Sequence, residues 1–214
     1  MIKCGIFIDG FNLYHSLRDA ITKTTYSRVR WLDISSLCDH FMKEPARCFL
    51  SESLSRECIH FFSAKPMHAY PDTRKRFDLY MNCLRNTGIE VHLGNYRRRT
   101  AKCKLCKGEY SYHEEKETDV AIGVGILQKA IEHDLGAVIV VSGDADLIPA
   151  YSALKEMRPE TIRIVALPFK RSLNVVKKSV DHYFNIKPKI YAMHQFDDPL
   201  VLSNGTTVSK PPTW

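Results

Sequence analysis

The run Ala137–Val141 constrains the fold more than any other segment of the chain. It contains five consecutive apolar residues, four of them β-branched, between Gly136 and the polar turn Ser142–Asp146. The run is short for a helix and lacks the alternation of a half-exposed strand, so it predicts a strand buried on both faces. Strands of this kind belong to parallel sheets that helices cover on both sides, and we therefore expect an α/β fold.

Similar segments alternate along the rest of the chain. Further strands are predicted at 2–8, 57–63, 89–93, 161–167 and 183–186, and helices at 13–21, 31–41, 72–87, 119–133, 146–157 and 173–178. From residue 187 onward, several prolines and an Asn204–Gly205 turn predict a peripheral tail, 187–214, with a disordered end. In a parallel sheet covered by helices, ligands bind at the carboxyl ends of the strands.

The composition fits one globular domain that is able to bind a polyanion. The 214 residues are 44% hydrophobic and 26% charged, which excludes a largely disordered chain. The net charge of +7 permits a nucleic-acid partner without requiring one. No secretory signal and no apolar run of about 18 residues is visible, so we expect a cytoplasmic protein without a membrane partner.

Carboxylates follow two of the predicted buried strands at the point where each strand ends. Asp9 closes the first strand, and Asp144 and Asp146 follow the run 137–141. If the two strands are parallel neighbours, these carboxylates meet at one edge of the sheet, where they repel one another. A hard divalent cation that prefers oxygen ligands, such as Mg²⁺ or Mn²⁺, relieves that repulsion. The pattern predicts a metal site, for which Asp119, at a helix start, is a fourth candidate.

Each of these carboxylates also has a purely structural explanation. Asp9 precedes Gly10 and suits a turn. Asp119, Asp144 and Asp146 suit helix starts, where a carboxylate stabilises by about 0.3–1 kcal/mol. The Asp144-x-Asp146 pair alone is also compatible with a Toprim-like metal site. Four such residues at strand ends and helix starts of one sheet favour a shared site over separate explanations.

Two polar side chains near these carboxylates have two interpretations each. Asn12 orients Asp9 or binds a phosphate oxygen or water, or else it caps a helix. Ser142 hydrogen-bonds a carboxylate or the substrate, or else it is a turn hydroxyl. The segment Gly123–Gln128 does not form a dinucleotide-binding fingerprint, since its last position lacks the required glycine.

Three segments resemble the signatures of NYN domains, in the same order along the chain: Phe7–Asn12, Glu115–Val120 and Val140–Pro149. NYN domains belong to the PIN-like nuclease superfamily, and the chain resembles their LabA-like (DUF88) group. The resemblance covers residues 1–186 and implies a three-layer α/β/α, Rossmann-like fold with a mainly parallel sheet. It also implies an endoribonuclease in which Mg²⁺ or Mn²⁺ activates water and neutralises the phosphate.

The resemblance assigns roles to individual residues. The family's acidic, metal-binding positions fall on Asp9, Asp119, Asp144 and Asp146, and its supporting catalytic positions fall on Asn12, Lys116 and Ser142. The chain departs from the pattern at Gly125, where many relatives have a further Asp. That departure keeps one alternative open, a catalytically weak RNA-binding or regulatory module that retains the PIN-like fold.

A basic excursion is predicted at 95–115, where the alternation of strands and helices stops. Six cations fall within eleven residues: Arg97, Arg98, Arg99, Lys102, Lys104 and Lys107. They predict an arm that binds the backbone of single-stranded or structured RNA, with Tyr96, Tyr110 and Tyr112 available for stacking. A solvated loop is the alternative.

The seven cysteines are scattered, which predicts reduced thiols rather than a disulfide framework. Only Cys103 and Cys106 have metal-ligand spacing. A structural zinc ion needs four ligands, so His92 or His113, and a partner chain in a homodimer, are candidates for the others. The alternative is a reduced pair without a metal.

Overall fold

Strands and helices alternate in the structure, a computed structural model that describes residues 1–43, 48–171 and 173–214. The strands are β1 (Ile2–Asp9), β2 (Leu54–Ala64), β3 (Glu90–Lys102), β4 (Glu109–Lys116), β5 (Ala137–Val141), β6 (Ile162–Leu167), β7 (His182–Asn185), β8 (Leu200–Val201) and β9 (Thr207–Val208). The helices are α1 (Gly10–Lys23), α2 (Ile34–Lys43), α3 (Pro71–Asn86), α4 (Thr118–Glu132), α5 (Ile148–Met157), α6 (Asn174–Lys178) and α7 (Pro188–Met193). Each predicted strand and helix is present, and the ends differ most at β3.

The strand order of the main sheet is β4-β3-β2-β1-β5-β6-β7. Strand β4 is antiparallel to β3, whereas the other neighbours are parallel. From β1 the chain builds outward through β2 and β3, and later, on the other side, through β5, β6 and β7. The order reverses between β1 and β5, which is where ligands bind in open α/β sheets. This topology confirms the predicted Rossmann-like fold with a mainly parallel sheet.

Alternate strand residues enter two hydrophobic cores, one on each face of the sheet. In β5, Ile139 and Val141 belong to the core that α1, α2 and α3 cover, whereas Val138 and Val140 belong to the core under α4 and α5. All of β5 is buried, as predicted. Within the described ranges, no helix combines the length and the apolar character needed to cross a membrane.

The predicted excursion at 95–115 is a regular β-hairpin rather than an irregular segment. Strand β3 continues to Lys102 and pairs with β4 in antiparallel register, with Arg99 opposite Tyr112. Both faces of this ribbon carry polar residues and are largely exposed. A strand without a buried face shows no alternation of apolar and polar residues, so the pattern could not predict it.

The end of the C-terminal tail, which we expected to be disordered, packs on the core. The ring of Trp214 lies 6.0 Å from that of Trp31 and 5.5 Å from that of Tyr80, both at steep angles. Tyr191 of α7 is fully buried and shares a 2.7 Å hydrogen bond with Ser16. Aromatic side chains bury large apolar surfaces, and that gain outweighs the turn-forming composition from which the disorder was predicted.

Candidate metal centre

Asp9 stands at the junction of β1 and α1 and is only 2% exposed. Its Oδ1 accepts a 2.9 Å hydrogen bond from the backbone N–H of Asn12, so Asp9 is the N-cap of α1. The helix begins at once with Gly10, where a Cβ atom would lie 2.6 Å from the carbonyl oxygen of Phe62. Only glycine lets the chain turn this close to β2, and the turn fixes the carboxylate of Asp9.

Hydrogen bonds tie the end of β1 to the end of β5. The hydroxyl of Ser142 donates to Asp9 Oδ2 at 2.9 Å and accepts from the backbone N–H of Asp144 at 3.0 Å. The backbone N–H of Gly143 donates to Asn12 Oδ1 at 3.1 Å. Ser142 therefore contacts a carboxylate, one of its two predicted interpretations. Asn12 lies inside α1 and is not its cap, because Asp9 is the N-cap. The side chain of Asn12 instead binds the turn after β5.

The turn after β5 has no space for a side chain at Gly143. A Cβ atom there would lie 1.6 Å from the carbonyl oxygen of Arg171, whose guanidinium binds Asp19 at 2.6 Å. Asp144 follows and caps a short 3-10 helix, since its Oδ1 accepts from the backbone N–H of Asp146 at 3.0 Å. The close approach of the neighbouring loop thus holds Asp144 in place.

Three carboxylates converge at this edge of the sheet. Asp9, Asp119 and Asp144 each offer an oxygen atom, and these oxygens lie within 4.8 Å of one another. Asp119 reaches the group from the first turn of α4. The backbone N–H of Thr118, just before it, donates to Glu115 at 3.0 Å and fixes the start of that helix.

The electrostatics of this group favour a bound cation. Burial raises the pKa of Asp9, and the charge of Asp144 adds to the effect, although hydrogen bonds from Asn12 and Ser142 oppose it. Partial desolvation and then the charges of Asp9 and Asp144 raise the pKa of Asp119 to about 6. A divalent cation stabilises all three in their charged form, and oxygen-only ligands suit Mg²⁺ or Mn²⁺. The residues present therefore fit a divalent metal ion.

The structure does not bring every predicted residue to the same point. Asp146 is exposed, outside the group of three, and its charge is the last of those that raise the pKa of Asp119. The ammonium of Lys116 lies 3.0 Å from Glu114, on the same strand. Asp146 thus stands at the rim of the centre, and Lys116 belongs to the hairpin.

Phe62 occupies the space beside Gly125, the position at which the chain departs from the pattern expected of an NYN domain. A Cβ atom at Gly125 would lie 3.0 Å from Cζ of the Phe62 ring. That ring is buried and stacks on His92, with centroids 4.5 Å apart. An aromatic ring from β2 therefore lies against Gly125, where the resemblance to NYN domains predicts a carboxylate.

The centre also includes a residue that no sequence pattern marked. Tyr151 of α5 is fully buried, and burial together with the charges of Asp9 and Asp144 raises the pKa of its phenol. Within the part of the chain that the structure describes, its hydroxyl has no hydrogen-bond partner. Tyr151 occupies an ordinary core position of an amphipathic helix, so its closeness to the carboxylates gives no signal in the sequence.

A cavity of about 450 Å³ was also not predicted. It begins at Gly10 and Phe11 and continues between α1 and α3. Aromatic rings and two cations contribute to its wall: Tyr14, Phe77, Tyr80, Tyr96, Trp214, Arg30 and Arg76. Phe11 meets Tyr96 of the hairpin edge to face, with centroids 6.2 Å apart. The cavity therefore reaches from the start of α1 to the base of the hairpin.

The predicted basic residues line the hairpin, and acids on the facing strand or directly after it partly balance them. Arg97 lies 3.8 Å from Glu117, Arg99 lies 3.2 Å from Glu114, and Lys102 lies 3.7 Å from Glu109. Arg98 donates to Ser111, and Lys104 is exposed in the turn. Exposed ion pairs contribute only about 0–1 kcal/mol, so these cations stay available to a polyanion.

Cys103 and Cys106 lie in the turn of the hairpin. Backbone N–H groups of Cys106 and Leu105 lower the pKa of the Cys103 thiol. The two candidate histidines lie elsewhere, since His113 stacks on His68 at 4.2 Å and His92 stacks on Phe62. Among residues 1–43, 48–171 and 173–214, no third metal-ligating side chain joins the two cysteines.

Comparisons with known proteins support the same fold and family. The profile of the NYN domain matches residues 3–187. The chain is similar to a crystal structure of a protein of unknown function, VPA0982 from Vibrio parahaemolyticus RIMD 2210633. The two share 20% sequence identity with a TM-score of 0.53, over 87% of this chain and 93% of that one. No curated protein matches the chain.

Proposed function

Because this chain belongs to the NYN domain family of the PIN-like nuclease superfamily, we propose that it is a divalent-metal-dependent endoribonuclease. The observation that carries the proposal is the convergence of Asp9, Asp119 and Asp144 where the strand order reverses. Phosphodiester cleavage needs an activated water and a neutralised phosphate. A carboxylate-held metal ion supplies both when it is bound.

In this proposal the side chains of the centre have separate tasks. Asp9, Asp119 and Asp144 would hold Mg²⁺ or Mn²⁺, and Asp146 would orient water at the rim. Ser142 and Asn12 would fix the direction of the Asp9 carboxylate through the hydrogen bonds that join the ends of β1 and β5. The supporting role of Lys116 would lie on the hairpin, where its ammonium meets Glu114.

The proposed substrate is RNA with unpaired nucleotides. Cations of the hairpin would contact phosphates, and the cavity that begins at Gly10 would accept a base that is free to leave its stack. Tyr96 belongs to both surfaces, because it lies on β3 and lines the cavity. A substitution Tyr96→Ala should therefore weaken binding of single-stranded RNA more than binding of a fully paired duplex.

A cleavage assay tests the proposal directly. The purified chain is incubated with single-stranded RNA, structured RNA and single-stranded DNA, in Mg²⁺ or Mn²⁺ and with a chelator as control. We expect RNA cleavage that requires the metal and that a chelator stops. Cleavage that survives the chelator would contradict the metal centre, and a preference for DNA would contradict the substrate.

A second candidate function is a catalytically weak RNA-binding or regulatory module. Gly125 favours it, because the resemblance to NYN domains predicts a carboxylate at this position and the ring of Phe62 lies against the glycine instead. The same assay separates the two functions when binding is measured alongside cleavage. RNA that binds the hairpin tightly but stays intact at saturating Mn²⁺ would support the module.

A further inference from the structure

A second cluster of metal-ligating side chains lies on β2 and β3, apart from the carboxylates. His60 of β2 pairs in parallel register with Glu90 of β3, and His92 lies two residues further along the same strand. Side chains two residues apart on a strand point to the same face of the sheet. The register thus brings His60, Glu90 and His92 together on one face.

The ligand atoms of this cluster have the spacing of a metal site. Nδ1 of His60 lies 3.0 Å from Nε2 of His92. The carboxylate of Glu90 lies 3.5 Å from each of these nitrogens, through Oε2 to His60 and Oε1 to His92. In a tetrahedral zinc site with bonds of about 2.0–2.1 Å, neighbouring ligand atoms are roughly 3.3 Å apart.

Hydrogen bonding alone leaves this arrangement incomplete. Two neutral imidazoles share one proton along the 3.0 Å contact, while a carboxylate faces both nitrogens. The two ring nitrogens and the carboxylate of Glu90 thus converge with one proton between them. A bound cation would accept an electron pair from each of the three groups.

Burial keeps both histidines in the form that binds metals. Desolvation lowers the pKa of His60 to about 4 and also lowers that of His92, although the charge of Glu90 opposes both effects. Neutral imidazole is the ligating form, so no proton has to leave a charged ring at neutral pH. Glu90 is exposed, which leaves a route for an ion from solvent. The charge of Lys129 opposes a cation here, but its ammonium lies 2.7 Å from Glu132.

We propose that His60, His92 and Glu90 form a zinc site with an open fourth position. Imidazole nitrogens favour Zn²⁺ over Mg²⁺ and Mn²⁺, which prefer oxygen ligands. The bound ion would clamp β2 to β3, at the root of the strand that continues into the basic hairpin. This inference does not depend on the proposed nuclease activity.

Zinc alone is the probe, and its binding is measured on the whole chain. The parent chain for these measurements carries Cys103→Ser and Cys106→Ser, so that the two thiols do not compete for the ion. With Asp9→Asn added to disable the carboxylate centre, which zinc can also occupy, we expect one Zn²⁺ per chain by calorimetry. At about 100-fold excess over the dissociation constant, the melting temperature should rise by roughly 5–10 °C. His92→Ala and Glu90→Gln alter partly exposed side chains and should weaken zinc binding while the chain still folds. His113→Ala, a histidine outside the cluster, is the matched control.

Co²⁺ adds a spectroscopic test in the same chain. Tetrahedral nitrogen and oxygen ligands should give visible ligand-field bands that His92→Ala removes and His113→Ala keeps. Equal zinc affinity in His92→Ala and the parent chain would overturn the proposal. Zinc binding that is lost when the two cysteines are replaced would also overturn it. If no zinc binds at all, His60 and His92 form a hydrogen-bonded pair only.

Discussion

The two ligand clusters of this sheet are close together but differ in chemistry and in construction. Asp9 pairs with Phe62, and His60 precedes Phe62 by two residues on the same strand. The carboxylate centre offers oxygen atoms only, whereas the histidine cluster offers two nitrogens and one carboxylate. Hard cations prefer the first set, and zinc prefers the second. One sheet can therefore separate two metals by ligand type rather than by distance.

The two clusters also depend on different parts of the fold. Asp9 and Asp144 are fixed by turns at strand ends, through Ser142 and Asn12. His60 and His92 are fixed by the pairing of β2 with β3 inside the sheet. A change in a turn should therefore disturb only the carboxylate centre, and a change in a ligand should remove only its own metal.

The largest expected effect is the loss of one metal without the other. Asp9→Asn removes a charged oxygen ligand, so Mn²⁺ binding should weaken by more than about 100-fold. Zinc binding at the histidine cluster should be kept in the same variant. Calorimetric titration of each metal measures both effects. Equal weakening of both metals would mean that the two clusters form one site.

A smaller effect is expected when the turn after β5 is disturbed. Gly143→Ala places a methyl group against the carbonyl oxygen of Arg171, and overpacking of this kind costs about 1–3 kcal/mol of unfolding free energy. Urea denaturation measures the loss. Gly123→Ala is the control, since its Cβ would meet Ala150 at an ordinary 3.5 Å. A neutral or stabilising Gly143→Ala would show that the neighbouring loop does not hold this turn.

The pH dependence of Mn²⁺ binding should follow Asp119. Its pKa is raised to about 6, so below that pH the metal must displace a proton. Affinity should then fall by about tenfold per pH unit. Without metal, the free energy of unfolding should change in the opposite direction. Protonation of Asp119 relieves its repulsion with Asp9 and Asp144, so this stability should be lost as the pH rises through about 6.

Asp119→Asn should flatten the metal-free pH profile, and Asp72→Asn, at the exposed start of α3, should not. Calorimetry measures the affinity, and thermal unfolding in chelator measures the stability. Unchanged pH profiles in Asp119→Asn would show that another group titrates.

The smallest effect concerns the hairpin that continues from the histidine cluster. Replacement of Arg97, Arg98 and Arg99 by Ala should reduce the slope of log affinity against log salt by about 2, since each phosphate contact of single-stranded RNA contributes about 0.7. Doubling the salt would then weaken the wild type about fourfold more than the variant. Fluorescence anisotropy at several salt concentrations measures the slope. An unchanged slope would place the RNA elsewhere.

The carboxylate centre was largely predictable because strand ends are marked in the sequence. The segment 2–8 ends directly at Asp9, and the apolar run 137–141 is followed, after Ser142 and Gly143, by Asp144. Parallel pairing brings such strand ends together. Asp119 was a candidate from its position at a helix start, and the resemblance to NYN domains then assigned it to the metal site. The metal-binding part of the site therefore needed little three-dimensional information.

The histidine cluster was not predictable, for a physical reason. His60 and His92 lie inside strands, 32 residues apart, and only the register of β2 against β3 brings them together. A shift of that register by one residue would turn every side chain of β3 to the other face. The contact of Phe62 with Gly125 and that of Trp214 with Trp31 depend on packing in the same way.

The most direct test asks whether the carboxylate centre is the site of RNA cleavage. It compares Asp144→Asn with the wild type in metal-dependent cleavage of single-stranded RNA under single-turnover conditions. The loss of several kcal/mol of charge stabilisation should slow cleavage by about 10²–10⁴-fold. Thermal unfolding should show that the variant is folded, because the substitution removes repulsion rather than a packing contact. Cleavage by Asp144→Asn at the wild-type rate would contradict the carboxylate centre as the site of reaction.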